Sequence, residues 1–141
     1  MDKQTLVIDA LNKIIGNDSY NKLEIAEYFS PDYSQTVNGD SLNYEMFVEH
    51  IKLLKQTADH MHVQVVSTAV TDDTVFTHHF VDVLKADRRK SQFEVFARFT
   101  LKQQKIVSCH ELTRMIKGES MDETLGSQCR AHQQVNHDLK S

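Results

Sequence analysis

The chain has 141 residues, enough to bury the core of one domain and too few for two ordinary ones. It is 40% hydrophobic and 26% charged, as globular proteins are, and no apolar run approaches the ~20 residues of a membrane-spanning helix. The net charge of −4 comes from interspersed acids and bases, which argues against a nucleic-acid partner.

The N-terminal sequence and the cysteine content indicate the compartment. The first residues lack the apolar core and cleavage site of a secretory signal peptide. Cys109 and Cys129 suit a reducing compartment better than a disulfide framework. We therefore expect a cytoplasmic protein.

Helical patterns dominate the first part of the chain. Apolar residues recur at helical spacing over residues 6–15 and again over about 19–29, where Pro31 follows the helix end. A third amphipathic pattern runs to about residue 57, with Asp40 or Ser41 as its expected N-cap.

Strand patterns begin between the second and third helices. Residues 33–37 alternate as a short strand and are followed by the turn sequence Asn38-Gly39. Four longer strands are predicted over 61–70, 74–85, 93–102 and 105–117. Their short links imply an antiparallel meander. An α+β domain is expected over residues 1–118, and the polar residues 119–141 are expected to form a loosely ordered tail.

Alternation along the late strands predicts which side chains face the helices. The other face, with Arg98 and Glu111, is expected to meet solvent or a second subunit. The more apolar face, expected to lie under the helices, has these members: Val63, Val65, Ser67, Ala69, Phe76, His78, Phe80, Asp82, Leu84, Phe93, Val95, Ala97, Phe99, Leu101, Ile106, Ser108, His110, Leu112 and Arg114.

A small-molecule pocket is predicted on this more apolar face. Ala97 is small and is expected between the larger Phe80 and His110, which leaves a hollow. Ionisable groups are costly to bury without a partner, so His78, Asp82 and His110 around a hollow indicate a pocket rather than a dry core.

The sequence resembles a known superfamily in three places. These are Phe29-Ser-Pro-Asp-Tyr33, the turn Asn38-Gly39, and a closing strand that reads Lys-Ile-Val-Ser-Cys-His-Glu-Leu-Thr from Lys105. Over about residues 2–117 the chain is similar to the cone-shaped fold of nuclear transport factor 2 and ketosteroid isomerase, and within it to SnoaL-like proteins, named for a polyketide cyclase. The resemblance implies a curved antiparallel sheet, made of a short first strand and a four-strand meander, covered by three N-terminal helices.

The resemblance also implies a function. Superfamily enzymes include isomerases, cyclases and hydrolases that use a carboxylate or a histidine for acid–base chemistry inside the cone. We therefore expect a small hydrophobic ligand, with His78 and His110 as catalytic proton-transfer groups and Asp82 orienting them. The predicted ligand-binding residues are Tyr33, Phe47, Phe80, Ala97, Phe99 and Arg114, of which Arg114 or Tyr33 would stabilise developing negative charge.

A non-catalytic interpretation stands beside the enzymatic one. Many superfamily members bind ligands or dimerise without catalysis, and the same polar groups would then be structural. A homodimer through the outer sheet face is expected in either case. We expect no cofactor and no metal, because adjacent strand residues such as His78 and His79 point to opposite faces and cannot chelate one ion.

Overall fold

The computed structural model describes residues 1–118, so the predicted tail lies outside the described residues. The helices are α1 (Lys3–Ala10), extended by one π-helical turn (Leu11–Ile15), α2 (Lys22–Tyr28) and α3 (Tyr44–Thr57). The strands are β1 (Phe29–Val37), β2 (Asp40–Asn43), β3 (Ala58–Thr71), β4 (Thr74–Lys85), β5 (Lys90–Lys102) and β6 (Lys105–Lys117). In the described part of the chain no helix has the length and apolar character needed to cross a membrane.

The six strands form one curved sheet in the order β2-β1-β6-β5-β4-β3. Strands β3 to β6 pair antiparallel in sequence order, which confirms the predicted meander. β1 pairs parallel with β6 and antiparallel with β2, so the sheet is mixed. The α+β class is confirmed, with the extra strand β2 as an addition to the prediction.

Side-chain caps set the helix starts. Asp2, Asn21 and Asn43 each accept hydrogen bonds from backbone N–H groups in the first turn of α1, α2 and α3 respectively. The predicted cap at Asp40 or Ser41 is wrong, because residues Asp40–Asn43 instead pair with β1 as a strand. The second helix ends at Tyr28, and the chain continues as strand β1. Pro31 favours this change, because the residue before a proline, here Ser30, prefers extended backbone.

The helices pack on one face of the sheet, called here the inner face. An aromatic cluster of Phe29, Tyr33 and Phe47 joins β1 to α3, with ring centroids 4.7 to 4.8 Å apart. Such tilted and edge-on contacts add to the apolar burial of the rings. This cluster fixes the distance between α3 and the sheet.

The predicted inner face is correct for β5 and wrong for most of β4 and β6. On β5, Phe93, Val95, Ala97, Phe99 and Leu101 are buried as expected. On β4 the buried residues are instead Val75, Thr77, His79, Val83 and Lys85. On β6 the prediction holds at Ile106, whereas further along the buried side chain is Cys109 rather than Ser108 or His110.

Two β-bulges, one on β6 and one on β3, explain part of the difference between the predicted and the observed inner face. Leu101 pairs with Ile106 but Thr100 pairs with Ser108, so the strand carries one additional residue at position 107. A similar shift on β3 between Val65 and Ser67 turns Ser67 and Ala69 outward. Because side chains alternate with period two, one additional residue moves every later side chain to the opposite face.

Candidate functional site

An inner cavity of about 90 Å³ lies between the inner sheet face, the π-helical turn and α3. Its walls are mainly aliphatic and aromatic, and polar side chains come from β1, α3, β4 and β6. The lining residues are Leu11, Ile15, Phe29, Tyr33, Gln35, Phe47, His50, Ile51, Leu54, Met61, His79, Val81, Val83, Phe93, Val95, Phe99, Glu111 and Thr113. An apolar pocket with a few converging polar groups is the usual form of a small-molecule site.

Glu111 on β6 is the acidic side chain that lines this cavity in the described chain. Across the sheet it pairs with the small Ala97, whose other neighbour is Thr77. One carboxylate oxygen, Oε2, accepts a hydrogen bond of 2.8 Å from the Thr113 hydroxyl. Burial raises the pKa of Glu111 from 4.5 to about 7, and the Thr113 hydrogen bond opposes only part of that effect. Near neutral pH the group can both take up and release a proton.

Tyr33 and Gln35 form a hydrogen-bonded pair on β1. The Tyr33 hydroxyl donates to Gln35 Oε1 at 2.7 Å, and both residues are buried. Burial, followed by the neighbouring Cys109 and Glu111, raises the pKa of Tyr33 well above its usual value. The hydroxyl therefore stays protonated and remains a donor. Burial also raises the pKa of Cys109 well above that of a free thiol, which disfavours a thiolate nucleophile there.

His79 on β4 is a neutral, oriented imidazole. Its Nδ1 lies 2.9 Å from the Thr77 hydroxyl, and the residue is almost fully buried. Burial, helped by the neighbouring His78, lowers the pKa of His79 to about 4. At pH 7 the ring can therefore donate or accept one hydrogen bond in the cavity without carrying charge.

The turn between β1 and β2 holds the Glu111 segment in place. The Asn38 side chain accepts from the Thr113 N–H and donates to the Thr113 carbonyl, both at 2.8 Å. The Asn38 backbone N–H also donates to the Glu111 carbonyl at 3.0 Å. Asn38 has a φ of 49°, a left-handed conformation that asparagine tolerates better than most residues. The predicted Asn38-Gly39 turn therefore positions two cavity residues.

A partly buried lysine holds the chain that follows the π-helical turn. Lys55 on α3 donates to the carbonyl oxygen of Ile15 at 2.6 Å and to that of Asn17. Burial lowers the pKa of Lys55 to about 8. Ile15 lines the cavity, so these hydrogen bonds hold one of its walls.

The predicted site residues separate into two groups. Tyr33, Phe47 and Phe99 line the inner cavity, and Ala97 is buried on the same face. The predicted inward direction is wrong for His78, Phe80, Asp82, His110 and Arg114, which lie on the opposite, outer face of the sheet.

The outward residues have partners on the outer face. His78 Nε2 and Arg114 Nε each lie 2.8 Å from a different oxygen of Glu94, and the His78 ring stacks on Phe96 at 4.2 Å. These two hydrogen bonds lower the pKa of Glu94. The other pairs are Asp82 with Gln92 and His110 with Arg98. The reversed facing of β4 and of the later part of β6 thus converts an expected buried cluster into a surface network.

The sequence pattern missed His79, Glu111 and Thr113, because their faces were assigned to the outside. It also left out Gln35, which lies two residues after Tyr33 on the same strand. No sequence signal distinguishes Glu111 from His110, because regular pairing places His110 beside the small Ala97 and only the bulge moves Glu111 there. In residues 1–118, no three or more histidine, cysteine or acidic side chains are grouped as potential metal ligands.

The outer face carries an exposed apolar patch. Phe96 and Leu112 are cross-strand neighbours and are 53% and 69% exposed, and Phe76 is 42% exposed on the adjacent row. His110–Arg98 and Glu94–Arg114 lie on either side. An apolar centre with a charged rim is characteristic of a protein interface.

Solved structures share this architecture across most of the chain. AclR from Streptomyces galilaeus, described as a hydroxylase, superposes with a TM-score of 0.67 at 12% identity, covering 97% of this chain and 90% of its own. A protein of Jannaschia described as a SnoaL-like polyketide cyclase gives 0.65 at 12% identity, with coverages of 78% and 83%. A ketosteroid isomerase-like protein of Catenulispora acidiphila gives 0.63 at 11% identity, with coverages of 86% and 90%.

The chain has the SnoaL-like, ketosteroid isomerase-like fold. Identities this low establish the fold and leave the chemistry to the site. A curated relative, an uncharacterized protein of Schizosaccharomyces pombe, is 27% identical over 100 residues, which is 71% of this chain and 77% of that protein. No family model matches the sequence. The predicted fold resemblance is confirmed.

Proposed function

We propose that the protein binds a small hydrophobic carbonyl compound in the inner cavity and transfers a proton to and from it through Glu111. The supporting observation is a lone carboxylate in an apolar cavity, beside Ala97 and with one oxygen held by Thr113. The proton-transfer role that the sequence suggested for His78 and His110 passes to Glu111 in this proposal, because those histidines lie on the outer face.

The proposed step is proton abstraction next to a carbonyl. The carbon–hydrogen bond breaks and its proton passes to a Glu111 oxygen. The bonding pair forms a carbon–carbon double bond, and the π pair of the carbonyl moves onto its oxygen to give an enolate. The carboxyl then returns the proton. A base with a pKa near the working pH is well matched to both halves of this cycle.

Deuterium exchange tests the proposal directly. Small ketones and aldehydes are incubated with the protein in D₂O, and loss of the α-proton signal is followed by NMR. We expect Glu111→Gln to abolish the protein-dependent exchange, whereas Glu94→Gln on the outer face should leave it unchanged. The wild-type rate should rise as pH increases through about 7, because the ionised carboxylate is the base. Exchange that survives in Glu111→Gln would remove the proposal.

A second candidate is a non-catalytic binding module that dimerises through the outer face. The apolar patch of Phe96, Leu112 and Phe76 favours self-association, since a second copy would cover it isologously. Sedimentation velocity tests this: wild type should be a dimer and Phe96→Glu a monomer. Leu23→Glu, at an 80% exposed position on α2, is the matched control and should stay dimeric. Retention of the dimer in Phe96→Glu would exclude this surface.

A cytoplasmic location forms part of the same proposal. Cys109 is a buried free thiol, a state that a reducing compartment preserves.

A further inference from the structure

Gln35 carries a buried hydrogen-bond donor that residues 1–118 leave unused. The residue is 5% exposed, lies on β1 opposite Cys109, and lines the inner cavity. Its Oε1 accepts from the Tyr33 hydroxyl, but its Nε2 has no hydrogen-bond partner among residues 1–118. Buried amide groups are almost always paired, so an unpaired one facing a cavity indicates a missing partner.

Tyr33 determines which end of the Gln35 amide faces the cavity. In the structure its hydroxyl donates to the amide oxygen at 2.7 Å, which turns the two N–H groups of Nε2 away from Tyr33. The Tyr33 ring is itself held between Phe29 and Phe47. The donor is therefore preorganised before any ligand arrives.

We infer that Gln35 Nε2 donates to the oxygen of a compact neutral carbonyl ligand, and that Tyr33 acts as the positioning residue for this contact. The inference deepens the proposed function and rests on the same cavity. A ligand oxygen held there would also gain support as negative charge develops on it during enolate formation.

Charge and size narrow the ligand class. In the described chain no lysine or arginine lines the inner cavity, and the Glu111 carboxylate disfavours an anion. A protonated amine offers no lone pair to Gln35. The cavity of about 90 Å³ is smaller than the roughly 150 Å³ site that accepts benzene in an engineered protein, so the ligand should have fewer non-hydrogen atoms than benzene.

The test compares three probes of equal size: butan-2-one, its alkene isostere 2-methylbut-1-ene, and sec-butylamine. Binding to ¹⁵N-labelled protein is followed by NMR, with the side-chain amide signal of Gln35 assigned from its loss in Gln35→Met. We expect butan-2-one to bind and to shift the Gln35 amide signal, with the alkene weaker. At pH 5, where Glu111 is protonated and cannot pair with an ammonium, the amine should be the weakest. In Gln35→Met the preference for ketone over alkene should fall about three- to ten-fold, as expected for one hydrogen bond.

Two further variants keep the test decisive. Tyr33→Phe should reduce the ketone preference without removing binding, because the amide loses its fixed orientation. Gln64→Met, at an exposed position on β3, is the matched control and should leave the preference unchanged. Failure of all three probes to bind, equal binding of ketone and alkene to wild type, or an unmoved Gln35 signal would each overturn the inference.

The ketone-binding test and the deuterium-exchange test can give different results. Glu111→Gln should keep the ketone preference while losing deuterium exchange. A protein that selects ketones through Gln35 but shows no exchange would retain the subsite and refute the proton transfer.

Discussion

Removing the ionisable group at Glu111 should stabilise the folded protein at alkaline pH and have little effect at acidic pH. Burial raises the pKa of Glu111 from 4.5 to about 7, so the folded state holds a proton that the unfolded chain has released between these values. Stability contributed by this carboxyl is complete below pH 4.5 and is lost as pH rises through about 7. At about 1.36 kcal/mol per pKa unit, the difference corresponds to about 3 kcal/mol.

Urea denaturation of wild type and Glu111→Gln at pH 5 and pH 8 measures this effect. The chain has no tryptophan, so far-UV circular dichroism is the suitable signal. We expect the variant to gain up to about 3 kcal/mol relative to wild type between the two pH values, because glutamine cannot ionise. Comparing the same pair at two pH values cancels the effect of the substitution on packing.

Glu94→Gln is the control with the opposite sign. Hydrogen bonds from His78 and Arg114 lower the pKa of Glu94, so its contribution is present at neutral pH and is lost as pH falls through its folded pKa. A free-energy difference between wild type and Glu111→Gln that is the same at pH 5 and pH 8 would refute the argument that Glu111 is buried in an apolar cavity.

Three further variants test residues that shape or support the cavity. Ala97→Leu should block binding of butan-2-one and cost about 1–3 kcal/mol of stability through overpacking, as measured by NMR titration and urea denaturation. Lys55→Met leaves two partly buried carbonyl oxygens without their charged donor and should cost about 1–3 kcal/mol in urea denaturation. An unchanged midpoint would argue against this supporting role. Asn38→Gly keeps the turn conformation but removes both side-chain bonds to Thr113, so it should cost about 1–3 kcal/mol and slow proton exchange; normal exchange would show that the turn does not position the site.

The sequence was sufficient for most of the fold because each helix and each strand except β2 carries a local signal. Helical spacing of apolar residues, the Asn38-Gly39 turn and the short links between late strands all predict the observed order. The parallel contact of β1 with β6 has no such signal, because it joins segments about seventy residues apart. The family resemblance, which implied an antiparallel sheet, did not predict it either.

Alternation alone could not predict which side chains of each strand point toward the core. On β4, Phe76 and Phe80 on one face are as apolar as Val75 and Val81 on the other, so hydrophobicity does not identify the interior. The outer face is apolar where a partner surface is proposed, which makes it resemble a core.

Bulges add a second source of error. The sequence around position 107 on β6 reads as an ordinary strand and gives no sign of the additional residue. The bulge nevertheless turns Glu111, instead of His110, into the cavity. Because the two residues are adjacent, this single shift replaces an imidazole by a carboxylate as the candidate base. The chemistry of the site therefore depended on a feature that periodicity does not reveal.

The position of β6 also bears on how the polypeptide is made. The last described strand lies between β1 and β5, so it joins the N-terminal hairpin to the meander. On the ribosome, that hairpin has no sheet to join until β6 has left the exit tunnel. Long-range closure of this kind slows folding and leaves strand edges open to other chains meanwhile. We expect nascent chains that stop before β6 to depend on chaperones.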